Sequence, residues 1–240
     1  MSYKGQKQID SFQAGGNREG LNFGQIKSFK IPLPPLPEQK AIARVLSDVD
    51  ELIRECDTLL AKKLDIKQRT MQQLLTGKKR LPGFTGEWKE KKLGEIGKFK
   101  NGINKDKDSF GFECPFVNLL DIFGKNKLHG YLSLGLINST KNERGEYELK
   151  KGDVLFVRSS VKSEGVGLTS VIIENLDNTV YSGFLIRFRD FKILSLEYKA
   201  YCFYEENFRK RLIDNSTVSA NTNINQEALK ELTIFFPTLP

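Results

Sequence analysis

Ile31-Pro32-Leu33-Pro34-Pro35-Leu36-Pro37 opens a stretch that runs on from Glu38 to Thr76 without glycine or proline and stops at Gly77. Pro37 suits the first turn of a helix, where its missing N–H is no loss and its fixed φ is pre-set. Gly77 suits the left-handed residue that ends a helix, and Pro82 follows soon after. The pattern predicts one helix over residues 38–77. At 1.5 Å per residue it is roughly 55–60 Å long, far beyond an ordinary globular helix.

Its apolar residues explain the length. Ile42, Val45, Val49, Leu52, Cys56 and Leu59 recur at spacings of three and four, as the a and d positions of a coiled coil do. After Leu60 the stripe shifts register to Leu60, Leu64, Met71 and Leu74/Leu75. Residues 38–57 hold six acids against three bases, and residues 58–76 one acid against four bases. That distribution complements the helix dipole and favours an antiparallel partner of the same kind. A helix packed along its own domain is the competing reading; the sequence favours a spacer against a partner helix.

Outward from the helix the chain is basic. The formal net charge is +8, and ten Lys and Arg side chains, from Lys78 through Lys89 and Lys98 to Lys107, fall within 30 residues. Clustered positive charge points to nucleic acid. No apolar run approaches a membrane span and Met1-Ser2-Tyr3-Lys4 begins no signal peptide, so a cytoplasmic protein without membrane contact is expected. The three cysteines, Cys56, Cys114 and Cys202, are widely spaced and read as reduced packing residues.

Residues 1–31 are polar, are broken at Gly15-Gly16 and Gly20, and hold too few apolar side chains for a core of their own. A basic linker, residues 78–87, leads from the helix to Trp88, and a mixed α/β pattern follows. Strands are expected over Leu93–Phe99, ending in an Asn101-Gly102 turn, over Pro115–Leu120, and over Val154–Val157 after the turn Lys151-Gly152-Asp153. Ser170–Glu174 and Thr179–Phe188 read as β segments joined by Asn175–Asn178. A helical stripe covers Ser195–Leu212, and a short helix then leads into the strand Thr233–Phe236.

The chain also repeats itself. With Pro37 laid on Pro240, Leu21-Asn22 faces Ile224-Asn225, Lys27 faces Lys230, Ile31 faces Ile234, Pro34 faces Pro237 and Leu36 faces Leu239. The expected order is the tail of one unit, a spacer helix, and a second whole unit.

Residues 31–39, Ile-Pro-Leu-Pro-Pro-Leu-Pro-Glu-Gln, and residues 75–84, Leu-Thr-Gly-Lys-Lys-Arg-Leu-Pro-Gly-Phe, with Glu87-Trp88, resemble the boundaries of the spacer helix in specificity subunits of type I restriction–modification enzymes. Lys151-Gly152-Asp153-Val154-Leu155-Phe156 and Asn221-Thr222-Asn223-Ile224-Asn225 fit the same family's target-recognition domain. The resemblance implies an α/β (α+β) target-recognition domain joined to a long coiled-coil-forming helix. It implies 1–37 as the tail of an incomplete first recognition domain, 38–77 as the spacer, 78–87 as a linker and 88–240 as the DNA-binding domain. Such subunits read one half of a split double-stranded DNA site per domain and carry no catalytic centre. Methyltransferase subunits dock on them and restriction subunits join through these, and S-adenosylmethionine, ATP and Mg²⁺ belong to those partners. With one helix and one whole domain, the resemblance implies a truncated form: a fragment, a half-subunit acting as a homodimer, or a recombination cassette, expected to pair through its helix with a second copy or another specificity subunit.

Enzyme motifs fail in turn. There is no G-x-x-x-x-G-K-[ST] loop, and Gly165-Val166-Gly167 lacks the third glycine of a dinucleotide loop. His129, the single histidine, has no Cys at ligand spacing and reads as a turn residue. Asp48 and Asp50 point to different helix faces.

What remains suits DNA. Lys98, Lys100 and Lys105 flank Asn101-Gly102, either as a phosphate-contacting loop or as an ordinary hairpin with solvated lysines. Asn101 and Asn104 have the amide that pairs bidentately with adenine. Arg158-Ser159-Ser160, with Lys162, follows a buried strand, where Arg158 serves either guanine and phosphate or a structural ion pair. Ser219, Asn221 and Asn223 lie in a hydroxyl- and amide-rich tract that either lines a groove or is a plain loop. The alternative function is a coiled-coil scaffold or adaptor whose basic domain binds an acidic protein.

Overall fold

Two short helices, α1 (Tyr3–Gln13) and α2 (Phe23–Lys27), precede the proline-led stretch, which forms a single helix, α3 (Leu36–Leu75). The computed structural model describes residues 3–13, 20–130 and 133–237. Gly15-Gly16 and the closing Leu239-Pro240 of the repeat lie outside them. The chain divides into two compact units, Met1–Lys63 and Leu64–Pro240, so the division falls inside α3.

In α3 the sequence reading holds to within two residues at each end, and Gly77, at φ +70°, supplies the left-handed stop. Leu75 is the one buried residue of its 40, and Ile42, Val49, Leu52 and Leu59 are all exposed. Within the first unit the apolar seam is thus exposed along its length among the described residues. Within the second unit, Gln72 ties the last turns of α3 to the Tyr204–Glu206 backbone: its Nε2 donates to Tyr204 O (3.0 Å) and its Oε1 accepts from Glu206 N (2.9 Å). Trp88 lies beneath Gly77 with the Arg80 guanidinium 5.7 Å from its ring centroid. The basic linker is thus folded back over the start of the domain.

The second unit continues with β1 (Trp88–Lys92), α4 (Leu93–Ile96), β2 (Gly97–Asn101), β3 (Phe110–Val117), α5 (Leu119–Ile122), β4 (Lys127–Leu128), β5 (Gly135–Ile137), α6 (Lys141–Glu146), β6 (Val154–Val157) and β7 (Ser159–Ser160). It ends with β8 (Thr169–Ile172), β9 (Val180–Tyr181), β10 (Leu185–Asp190), α7 (Leu196–Cys202), α8 (Glu206–Asp214), β11 (Thr217–Val218), β12 (Thr222–Asn223), α9 (Gln226–Glu231) and β13 (Thr233–Pro237). A five-stranded sheet, β2-β10-β6-β8-β4, is the centre. Three small sheets, β5-β3-β9, β11-β12-β7 and β1-β13, surround it.

The central sheet is buried on both faces, and strand alternation divides the core accordingly. Val154 and Phe156 of β6, with Ile186 and Phe188 of β10, pack against α4, α7, α8 and α9 through Leu93, Phe203, Phe208 and Leu229. Leu155, Val157 and Leu185 point the other way, to Val117, Ile122 and Tyr181. Asp153, almost wholly buried at the turn into β6, is held by Arg189 through two 2.7 Å bonds and accepts from Lys150 N (2.8 Å). A second buried pair joins Lys199 to Asp190 while the same Nζ donates to Gly152 O (2.9 Å). A buried pair is weak evidence of net stability, but removing one partner leaves an uncompensated charge.

Four local readings are corrected. Leu93–Ile96 is a helical turn, and β2 starts only at Gly97. No hairpin forms at Asn101-Gly102, because the antiparallel partner of β2 is the distant β10. The turn after β8 forms at Asp177-Asn178 as read, but Thr179–Phe188 is two strands, β9 and the start of β10, broken at Ser182–Phe184. The stripe Ser195–Leu212 is two helices, because Glu205 caps α8 by accepting from Asn207 N and Phe208 N.

The repeat is visible in hydrogen bonds. Asn22 caps α2 by accepting from Gln25 N, and its counterpart Asn225 caps α9 by accepting from Ala228 N. Gln8 Nε2 of α1 donates to Lys30 O (3.0 Å), and its counterpart Arg211 Nη2 of α8 donates to Thr233 O (3.1 Å). The same helix–helix–extended module therefore occurs twice. The burial differs: Ile234 and Phe236 are 2% and 4% exposed, whereas their counterparts Ile31 and Leu33 are 75% and 78% exposed.

Candidate nucleic-acid interface

Arg158 sits where the buried strand β6 surfaces, and two remote segments meet on it. Its backbone N donates to Phe184 O (2.8 Å), its carbonyl accepts from Ile224 N (2.9 Å), and its Nη1 donates to Gly183 O (3.3 Å). Beyond it, Ser159 and Ser160 pair with Asn223 and Thr222, which pair in turn with Thr217 and Val218. The tip of the β11–β12 hairpin is tied internally: Ser219 N, Ser219 Oγ and Asn223 Nδ2 all donate to Asn221 O within 3.1 Å. The structure thus gathers Arg158, Ser159, Ser160, Ser219, Asn221 and Asn223 into one small sheet. Lys162 follows, exposed, and its carbonyl accepts from Gly165 N (3.0 Å).

The lysine-rich strand joins this surface at one point. Instead of turning at Gly102, the chain runs beside Tyr181–Leu185: Gly102 N donates to Leu185 O (3.1 Å), Ile103 N to Tyr181 O (2.9 Å), and Gly183 N to Ile103 O (2.8 Å). The Tyr181 hydroxyl donates to Lys100 O (3.2 Å), and burial pushes its pKa well above the usual phenol range, so it stays a donor. This approach brings Asn104 against Gly183, where a Cβ on the glycine would meet Asn104 Oδ1 at 1.8 Å. Asn104 and Arg158 thereby flank the same Ser182–Phe184 turn.

The other members of the group lie elsewhere. Lys100 pairs with Glu146 (2.6 Å) and lies over the Tyr147 ring, and Lys105 pairs with Glu143 (2.7 Å). The Lys105 contact, with help from Thr140 N, holds the Glu143 carboxyl below the usual range. That pairing is complete at neutral pH and is lost as pH falls through the carboxylate range. Asn101 lies against Gln226, whose amide, oriented to donate to Phe99 O (3.0 Å), accepts from Asn101 N (3.1 Å). Lys98, exposed in mid-strand, faces Arg189 across the β2–β10 pair. The Ser182-Gly183-Phe184 turn was missed in the sequence, where Thr179–Phe188 reads as continuous β; its only local signal is a glycine inside an apolar run. Among the described residues no three His, Cys, Asp or Glu side chains gather as a metal site requires. No helix of those residues is long and apolar enough to cross a membrane.

Comparison with known proteins agrees with this geometry. The family described as type I restriction modification DNA specificity domain matches residues 3–62 and 85–240. The chain belongs to that family. It is similar to the type I restriction enzyme EcoKI specificity subunit of Escherichia coli K12, at 24% identity over 95% of this chain and 52% of that one. It is likewise similar to the StySPI specificity subunit of Salmonella potsdam, at 27% identity over 96% and 52%. The chain thus spans about half the length of the curated relatives it matches. Among solved structures, a chain from a study of assembly and conformational transition of the type I R-M system superposes with a TM-score of 0.61, at 21% identity over 98% of this chain and 56% of that chain. The HsdS subunit from Thermoanaerobacter tengcongensis gives a TM-score of 0.50 at 22% identity, over 99% and 56%. At these identities the structures speak for the fold.

The close approach at Gly102 gives a test of how this surface is held. A Cβ there would lie 2.1 Å from Ser182 O and 2.4 Å from Tyr181 O, both rigid backbone atoms. Gly102→Ala is therefore expected to cost about 1–3 kcal/mol, read as a lower midpoint in denaturant unfolding. Lys98→Ala, on an exposed site, should stay within about 0.5 kcal/mol.

Proposed function

We propose that this chain is a sequence-specific DNA-recognition subunit of a type I restriction–modification system, without a catalytic centre of its own. It directs methyltransferase subunits, and restriction subunits through them, to a split double-stranded site. One observation carries this reading. In a member of this family, three sequence-distant segments bring guanidinium, amide and hydroxyl groups (Arg158, Asn104, Ser159, Asn223) to one surface. These are the groups that read guanine and adenine edges in the major groove. S-adenosylmethionine, ATP and Mg²⁺ are held by the partner subunits. Residues 1–37 are the tail of a first recognition domain, 38–77 the spacer, 78–87 a linker and 88–240 the recognition domain.

The spacer pairs as an antiparallel coiled coil with the helix of a second copy or of another specificity subunit. Its exposed Ile42–Leu59 seam and its acidic-then-basic charge order support that arrangement. For the homodimeric form, sedimentation equilibrium at micromolar concentration should give twice the chain mass, falling to one chain in a Leu52→Lys/Leu59→Lys variant. A wild-type monomer would contradict it.

DNA binding itself is tested by salt. The affinity for duplex should fall linearly in log–log form with salt, and Lys162→Ala should lower affinity for all sequences alike and reduce the slope by about 1. Affinity indifferent to salt, with unrelated duplex competing equally well, would turn the reading to an acidic protein partner.

A further inference from the structure

We infer that Phe184 is a specificity-determining residue, an apolar side chain that contacts the 5-methyl group of a thymine beside the bases addressed by Arg158 and Asn104. The inference rests on the DNA-recognition reading above. Phe184 lies between residues that are fully or almost fully buried, Ser182 and Leu185, yet is itself 59% exposed. Its backbone is fixed on every side: Phe184 N donates to Ser182 Oγ (3.2 Å), Phe184 O accepts from Arg158 N (2.8 Å), and Leu185 N donates to Ser182 O (2.9 Å). An exposed aromatic ring held on so rigid a turn is pre-organised for contact rather than left over from packing.

Its surroundings name the ligand. The Arg158 guanidinium bonds Gly183 O and the Asn104 amide touches Gly183, so a cation and an amide lie either side of the ring's own turn. Arginine reads guanine, asparagine reads adenine, and an apolar group reads the thymine methyl, the one apolar feature of a base edge. Two more exposed apolar side chains lie in or next to the adjoining sheet. Val161 follows Ser160, and Val218 is opposite Thr222, itself opposite Ser160. Wedging between base steps is the less suitable use, since covering the exposed part of one ring returns less than unstacking costs.

The test uses the full chain and a randomised duplex library. Sites enriched by the wild type are resynthesised with each thymine replaced in turn by deoxyuridine, which lacks only the methyl group. One replacement should weaken wild-type binding about five- to tenfold, while Phe184→Ala should bind both duplexes equally and keep the wild-type salt slope and unfolding midpoint. Phe184→Leu should retain part of the difference. A Phe184→Ala protein as sensitive to that methyl as the wild type overturns the inference, as does the absence of any methyl-sensitive position; both leave DNA recognition standing. Failure of the wild type to enrich any site overturns DNA recognition, and the inference with it.

Discussion

The antiparallel pairing of Trp88–Lys92 with Thr233–Pro237 is the constraint on which the rest of the recognition unit depends. It sets the first and last strands of the unit side by side, so that everything between them is a closed excursion. A two-stranded ribbon alone is marginal in water. Here it is anchored from below, because Ile234 and Phe236 are buried in the main core and Leu93 N donates to Leu232 O (2.9 Å). Gln72 then fastens the last turns of the long helix to the same unit through the Tyr204–Glu206 backbone. Two directed bonds and the buried Leu75 hold those last turns in place.

From this frame the surface follows by steps. Burial on both faces fixes β6 in the middle of the sheet, and the chain that leaves it emerges at one place, Arg158. The parallel run of Gly102-Ile103 beside Tyr181-Ser182 requires a glycine at each close approach and carries Asn104 to the same place. Glu146 and Glu143 of α6 take up Lys100 and Lys105. Part of the positive charge clustered over residues 78–107 is therefore balanced within the fold.

The long helix was legible because its signals are local: an apolar period, proline at one end and glycine at the other. The repeat was legible too, and the paired bonds Gln8–Lys30 and Arg211–Thr233 extend it into geometry that no residue identity announced. The β6 strand and its Lys151-Gly152-Asp153 turn were read correctly for the same reason. What failed depends on distance in sequence. Asn101-Gly102 has the local chemistry of a hairpin turn, but β10, some 85 residues away, outcompetes the adjacent chain as partner for β2. Arg158 and Asn223 were each named as candidates, but their gathering was not read, and the turn that joins them to Asn104 left no periodic trace. Phe184 reads as core in any single sequence, and only its exposure marks it otherwise.

The central claim is that DNA lies on the surface built around Arg158. Amide hydrogen exchange of the full chain, with and without a duplex enriched from a randomised library, measures this most directly. Slowed exchange is predicted at residues 158–162, 182–184 and 217–224, with β1 and α6 unchanged. Protection confined to α3 or α6, with those three segments unaffected, would contradict it.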